Sequence, residues 1–119
     1  MAEDRRREKV DILIREEVAS IINKELLFPK GVLVTVTRIV SSHDLYYADA
    51  FISVFPKKEA EVLALLNKKV SFIQGTLNKR LKMRPVPRLQ FKIDEEEKKR
   101  ERIEKLIAKS EEESKEVAS

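Results

Sequence analysis

Pro85 and Pro87 constrain this chain more than any other pair of its residues. Proline lacks an N–H and crowds the preceding turn, so a helix arriving at Pro85 must stop. What arrives is helical. Val62, Leu63, Leu66, Val70, Ile73, Leu77 and Leu81 form one apolar stripe within a span from about Lys57 to Met83. What leaves is a strand. Arg88-Leu-Gln-Phe-Lys-Ile93 alternates strictly, with Leu89, Phe91 and Ile93 on one side and Arg88, Gln90 and Lys92 on the other. A straight helix over the whole stripe would be ~40 Å long, too long for a domain this small. The pattern therefore predicts a kink or break, either at Lys69-Val-Ser71 or at Gly75. Pro56 is read as the start of this helical span, since proline is tolerated in a first turn.

Upstream, Val10, Leu13, Ile14, Val18, Ile21 and Ile22 recur on one helical face, giving a helix from about Asp4 to Leu26. Glu17 is the one polar residue on that face. Phe28-Pro-Lys-Gly31 breaks the helix. Val32–Val40 is almost wholly β-branched, and Leu45–Phe55 alternates, with Tyr46, Ala48, Ala50, Ile52 and Val54 on one side. Between them Ser41-Ser-His-Asp44 reads as a turn, and the pair as an antiparallel hairpin. The expected fold is α+β, in the order helix, strand, strand, helix (kinked or doubled), strand, tail, with helices on one sheet face. Residues 1–95 form the domain. Residues 96–119 form a charged, partly helical or disordered tail in which Ile103, Leu106 and Ile107 give a weak apolar stripe. Ser110-Glu-Glu-Glu-Ser114 reads as frayed or disordered.

Composition excludes several functions. The chain has 119 residues, no cysteine and one histidine, His43. Disulfides, thiolate metal sites and His-rich metal sites are therefore ruled out. The two glycines, Gly31 and Gly75, are too far apart for a phosphate-binding loop. Ser42, His43 and Asp44 are triad residue types, but consecutive turn residues cannot form a spaced triad. Asp94-Glu-Glu-Glu97 reads as a helix start favoured by the macrodipole, not as a metal site. The chain is not expected to be an enzyme, and no cofactor is implied. No apolar run reaches the ~18 residues of a membrane span, and no apolar leader segment opens the chain. The expectation is a cytoplasmic monomer.

Charge is distributed unevenly. The net charge is +4, and from Val62 to Ile93 there is no acid at all. Lys68, Lys69, Lys79, Arg80, Lys82, Arg84, Arg88 and Lys92 all lie in that interval. A basic surface of this kind attracts polyanions through phosphate contacts and counterion release. These eight are the candidate RNA-binding residues. Arg5-Arg-Arg7 sits in a first helical turn, where cations oppose the macrodipole. Tyr46, Tyr47, Phe51 and Phe55 are expected to pack in the core and stabilise the hairpin. Base stacking is the alternative.

Four segments together resemble the bacterial ribosome-binding factor A family. They are Val36-Thr-Arg-Ile-Val40, Ser42-His-Asp-Leu45, Ala48-Asp-Ala-Phe-Ile-Ser-Val54 and Leu81-Lys-Met-Arg-Pro-Val-Pro-Arg-Leu-Gln-Phe91. The last is the most specific, through Arg84, Pro87, Leu89 and Phe91. The resemblance covers about residues 5 to 95. It implies a type II KH-like domain, helix-strand-strand-helix-helix-strand, without the G-x-x-G loop. The family's Ala-x-Gly kink falls at Lys69-Val-Ser71, where neither alanine nor glycine is present. It further implies a non-enzymatic assembly factor that binds the immature small ribosomal subunit. Such a factor assists late 16S rRNA maturation near the 5′-terminal helix, supports growth in the cold and leaves before translation. The rival reading is a generic RNA-binding or protein-interaction module of KH-like fold, with the tail helix docking on a partner.

Overall fold

The computed structural model describes the backbone of residues 2–118 and the side chains of residues 4–111. Its elements are α1 (Ala2–Glu25), β1 (Leu33–Ser41), β2 (Tyr47–Phe55), α2 (Glu59–Lys68), α3 (Val70–Arg80), β3 (Arg88–Ile93) and α4 (Glu95–Ala118). This is the predicted α+β order with a helical tail. The sheet order is β1-β2-β3, with β1 antiparallel to β2 and β2 parallel to β3. Parallel neighbours need a long crossover, and α2 and α3 supply it.

One sheet face is buried. Val34, Val36, Ile39, Ala48, Ala50, Ile52, Leu89 and Phe91 lie under the helices, and Ile14, Val18, Ile21, Ile22, Val62, Leu66, Ile73 and Leu77 close over them. Each fully buried Ile or Leu contributes about 2 kcal/mol. The small side chains of Ala48 and Ala50 keep the middle of this face low. Leu13 departs from the expected stripe and is 44% exposed. The buried arc of α1 is narrower than its apolar pattern.

The break in the second helical span falls at Lys69, the first of the two predicted places. Lys69 has φ −101° and ψ 5°, and its N–H donates to the carbonyls of Leu65 (3.1 Å) and Leu66 (3.2 Å). Its own carbonyl accepts from the N–H of Ile73 at 3.0 Å. One residue thus ends α2 and begins α3, with neither alanine nor glycine in the segment. Gly75 lies inside α3. The division lets α2 pack on β2 and β3 while α3 packs on α1 and β3. Pro56 does not open the helix, which begins at Glu59.

The hairpin turn is built from its own side chains. Ser42 Oγ donates to Asp44 Oδ1 at 2.6 Å, and Asp44 Oδ1 accepts the N–H of Tyr46 at 3.1 Å. These bonds hold the Asp44 carboxyl below its ordinary pKa, the Ser42 hydroxyl first among them. Leu45 sits at φ 61°. A bulge interrupts the β1–β2 ladder, because Val36 faces Ile52 but Arg38 faces Phe51, leaving Thr37 unpaired.

The tail is helical, and it departs from expectation only at Ser110–Ser114, where helix replaces the expected fraying within an element that runs from Glu95 to Ala118. Its lysines, glutamates and alanines are good helix formers. The side chains of Glu112 and Glu113 lie outside the described residues.

Candidate nucleic-acid interface

Each predicted site residue has a defined place. Lys68 ends α2, and Lys69 is the joint between α2 and α3. Lys79 and Arg80 occupy the last turn of α3, where cations complement the exposed carbonyls. Leu81 turns the chain to an extended conformation at φ −91° and ψ 137° and is itself buried, leaving Lys82 in solvent. Arg84 lies in the proline loop. Arg88 and Lys92 stand on β3.

Three of the eight have structural partners. Arg80 Nη1 lies 3.3 Å from Glu17 Oε2 and donates to Ser20 Oγ at 3.3 Å, tying α3 to α1. This accounts for the lone glutamate on the apolar face of α1. Arg84 Nη1 donates to the carbonyls of Leu81 (2.9 Å) and Met83 (2.6 Å), clamping its own loop. Lys92 Nζ lies 3.0 Å from Asp49 Oδ2. Lys68, Lys69, Lys79, Lys82 and Arg88 are exposed. Their side chains enter no hydrogen bond or ion pair among the described residues.

The eight do not form one ridge. The alternation of β3 buries Leu89 and Phe91 against the helices, so Arg88 and Lys92 project from the opposite sheet face. Lys68, Lys69 and Lys79 belong to the helical layer. The thickness of the sheet separates the two groups. Between them, Gln74 anchors the proline loop to α3. Its Nε2 donates to the carbonyl of Pro87 at 3.0 Å, and its Oε1 accepts the N–H of Leu89 at 2.8 Å.

Two features lay beyond the sequence reading. The first is the exposure of the aromatic residues. Tyr46 (57%), Tyr47 (61%) and Phe55 (61%) are exposed rather than packed in the core. Phe51 is half-buried and carries the Arg38 guanidinium 4.1 Å from its ring centroid. The second is Asp94. It is buried, yet Oδ2 accepts from Thr37 Oγ1 at 2.5 Å and Oδ1 accepts the N–H of Glu97 at 3.1 Å. Arg38 Nε is 3.5 Å from the same Oδ2. Burial opposes the charge. The Thr37 hydroxyl, the Glu97 N–H and Arg38 outweigh it and hold the carboxyl below its ordinary range. Asp94 therefore caps α4 and fastens it to the bulge of β1. The signal in the sequence was an aspartate immediately before an acidic helix start.

Comparison with known proteins places this architecture. The family model for ribosome-binding factor A matches residues 6–107. Ribosome-binding factor A of Nitrosococcus oceani is 37% identical over 107 residues, covering 88% of this chain and 84% of that protein. The protein of the same name from Chlamydia felis is 34% identical over 119 residues, covering 97% and 99%. The crystal structure of ribosome-binding factor A from Thermus thermophilus superposes with a TM-score of 0.66 at 24% identity, covering 73% of this chain and 93% of that one. A Thermus thermophilus homology model fitted into a cryo-EM map of a 30S complex gives 0.61 at 26% identity, covering 69% and 88%. The chain belongs to the ribosome-binding factor A family.

Proposed function

We propose that this protein is a non-enzymatic assembly factor that binds the small ribosomal subunit and assists late maturation of 16S rRNA, near its 5′-terminal helix. The observation that carries the reading is the acid-free run from Val62 to Ile93. It folds so that Lys68, Lys69, Lys79, Lys82 and Arg88 stand in solvent without a carboxylate partner among the described residues. Unpaired cations are available to phosphates, whereas Arg80, Arg84 and Lys92 must first leave protein partners. Family membership supports the choice of polyanion, as does the likeness to a factor fitted into a 30S complex. Phosphate contacts position such a domain, and RNA shape selects the site.

Co-sedimentation with small subunits, large subunits and intact ribosomes at two salt concentrations tests this. The expected result is association with small subunits that weakens as salt rises. Lys69→Glu with Lys79→Glu should weaken binding and lower the salt slope by about one for each phosphate no longer neutralised. Equal association with every particle would reduce the surface to a generic polyanion binder.

A second reading, a protein-interaction module, rests on α4. Ile103 (49%), Leu106 (61%) and Ile107 (54%) are exposed on that helix. Deleting residues 96–119 separates the two. Lost capture of a protein partner with RNA binding intact would favour the second reading.

A further inference from the structure

The sheet face opposite the helices carries an arrangement that neither folding nor the helical cations explain. β2 presents Tyr47, Asp49, Phe51, Ser53 and Phe55 on that face, so an aromatic ring recurs every fourth residue, about 13 Å apart along the strand. Tyr47 and Phe55 are each 61% exposed. Cations stand beside the rings. Arg88 is the cross-strand partner of Tyr47, Lys92 is the partner of Phe51, and Arg38 stacks on Phe51 at 4.1 Å. Leu33 (64%) faces Phe55, and Val40 (45%) extends the apolar surface. The acids on this face are few. Asp49 is paired with Lys92, Glu96 is 3.8 Å from Arg38, and beside Phe55 Glu59 is paired with Lys98 while Glu101 lines the same pocket as Lys57 and Lys105.

From this geometry we infer that the open sheet face is a binding platform for single-stranded RNA, with bases stacked on Tyr47 and Phe55 and phosphates held by Arg88, the cation of this face without a protein partner among the described residues. Exposed rings interleaved with cations suit an unpaired strand, whose bases offer π-faces and whose backbone offers charge. A duplex hides those faces. A second copy of the chain fits less well. A symmetric sheet-to-sheet contact would bury Arg38, Arg88 and Lys92 against an equally basic surface. The inference rests on the proposed function's premise that the partner is RNA, and the two have Arg88 in common. It assigns to that partner a second, unpaired segment on a different face.

The chain has two tyrosines and no tryptophan. Tyr46→Phe therefore leaves Tyr47 as the only tyrosine emitter. The experiment titrates that variant with a mixed-sequence single-stranded RNA and with a duplex of equal length, following emission and anisotropy together. Single strands should quench the emission at saturation and duplexes should not. Phe55→Ala should weaken single-strand binding about tenfold with little effect on the duplex. Anisotropy showing RNA binding without quenching overturns the platform and leaves the proposed function standing. Absence of binding to either RNA overturns the platform, and co-sedimentation with small subunits then decides the proposed function separately. Concentration-dependent dimerisation that Phe55→Ala abolishes would assign the face to a second copy and overturn the inference.

Discussion

Asp94 joins three parts of the molecule through one carboxylate. It ends β3, caps α4 and anchors the bulged Thr37 of β1. Asp94→Ala removes the cap and the carboxylate shared by Thr37 and Arg38, leaving the Thr37 hydroxyl its longer bond to the Phe51 carbonyl (3.3 Å) and Arg38 its contact with Glu96. The expected loss is about 1–3 kcal/mol, measured by denaturant unfolding. The depressed pKa fixes the sign of the pH dependence. A carboxyl whose folded pKa lies below its unfolded value contributes stability above the unfolded pKa. That contribution is lost as pH falls through the folded pKa. Stability should thus decline below about pH 4, and Asp94→Asn should flatten that decline. An unchanged acid profile for Asp94→Asn would show that the carboxylate is not the group titrating. At this scale the sequence was legible in part. The acid-free interval named the cations, but not that Arg80 and Arg84 bond to protein groups. Those partners, Glu17, Ser20 and the carbonyls of Leu81 and Met83, depend on how α3 meets α1 and how the proline loop closes.

Among the elements, the α2–α3 crossover shows what periodicity settles and what it leaves open. The stripe Val62, Leu66, Val70, Ile73, Leu77 and Leu81 reads equally well as one helix or two. Length argued for a break, and packing against both α1 and the sheet placed it at Lys69. Gly75 remains in the helix interior with nothing within 4 Å of the position a Cβ would take. Gly75→Ala should therefore stabilise the protein by about 0.5–1 kcal/mol. Gly31 stands in contrast at φ +83°, and Gly31→Ala should destabilise by about 1–2 kcal/mol despite the same open space. Chemical denaturation of the two variants checks both signs. Leu66→Ala, at a fully buried position, should cost about 2–5 kcal/mol in the same assay.

Across the whole molecule the basic residues fall into two groups, Lys68, Lys69 and Lys79 in the helical layer and Arg88 and Lys92 on the opposite sheet face. α4 spans about 36 Å as a straight helix and touches the domain through the Asp94 cap and ion pairs of Arg38 with Glu96 and Lys98 with Glu59. Among the described residues no helix is long and apolar enough to cross a membrane. Truncation after residue 95 keeps the buried sheet face and the three packing helices. The shortened chain is expected to unfold cooperatively, with a midpoint within a few degrees of the full chain by circular dichroism. Loss of the cooperative transition would make α4 part of the domain rather than a tail.

The sequence by itself determined the element order, the strand faces and the acid-free stretch, because these follow from period, proline and charge, which are local properties. Strict alternation placed Leu89 and Phe91 inward without any knowledge of what covers them. Only the tertiary structure decided that Arg88 and Lys92 face away from Lys68, Lys69 and Lys79. Only it showed that Tyr47 and Phe55 lie in solvent, and that Asp94 reaches back to Thr37. The physical reason is the same in each case. Which sheet face the helices cover, and which distant groups a carboxylate meets, are set by how the layers pack, and segments far apart in sequence carry no local trace of that choice.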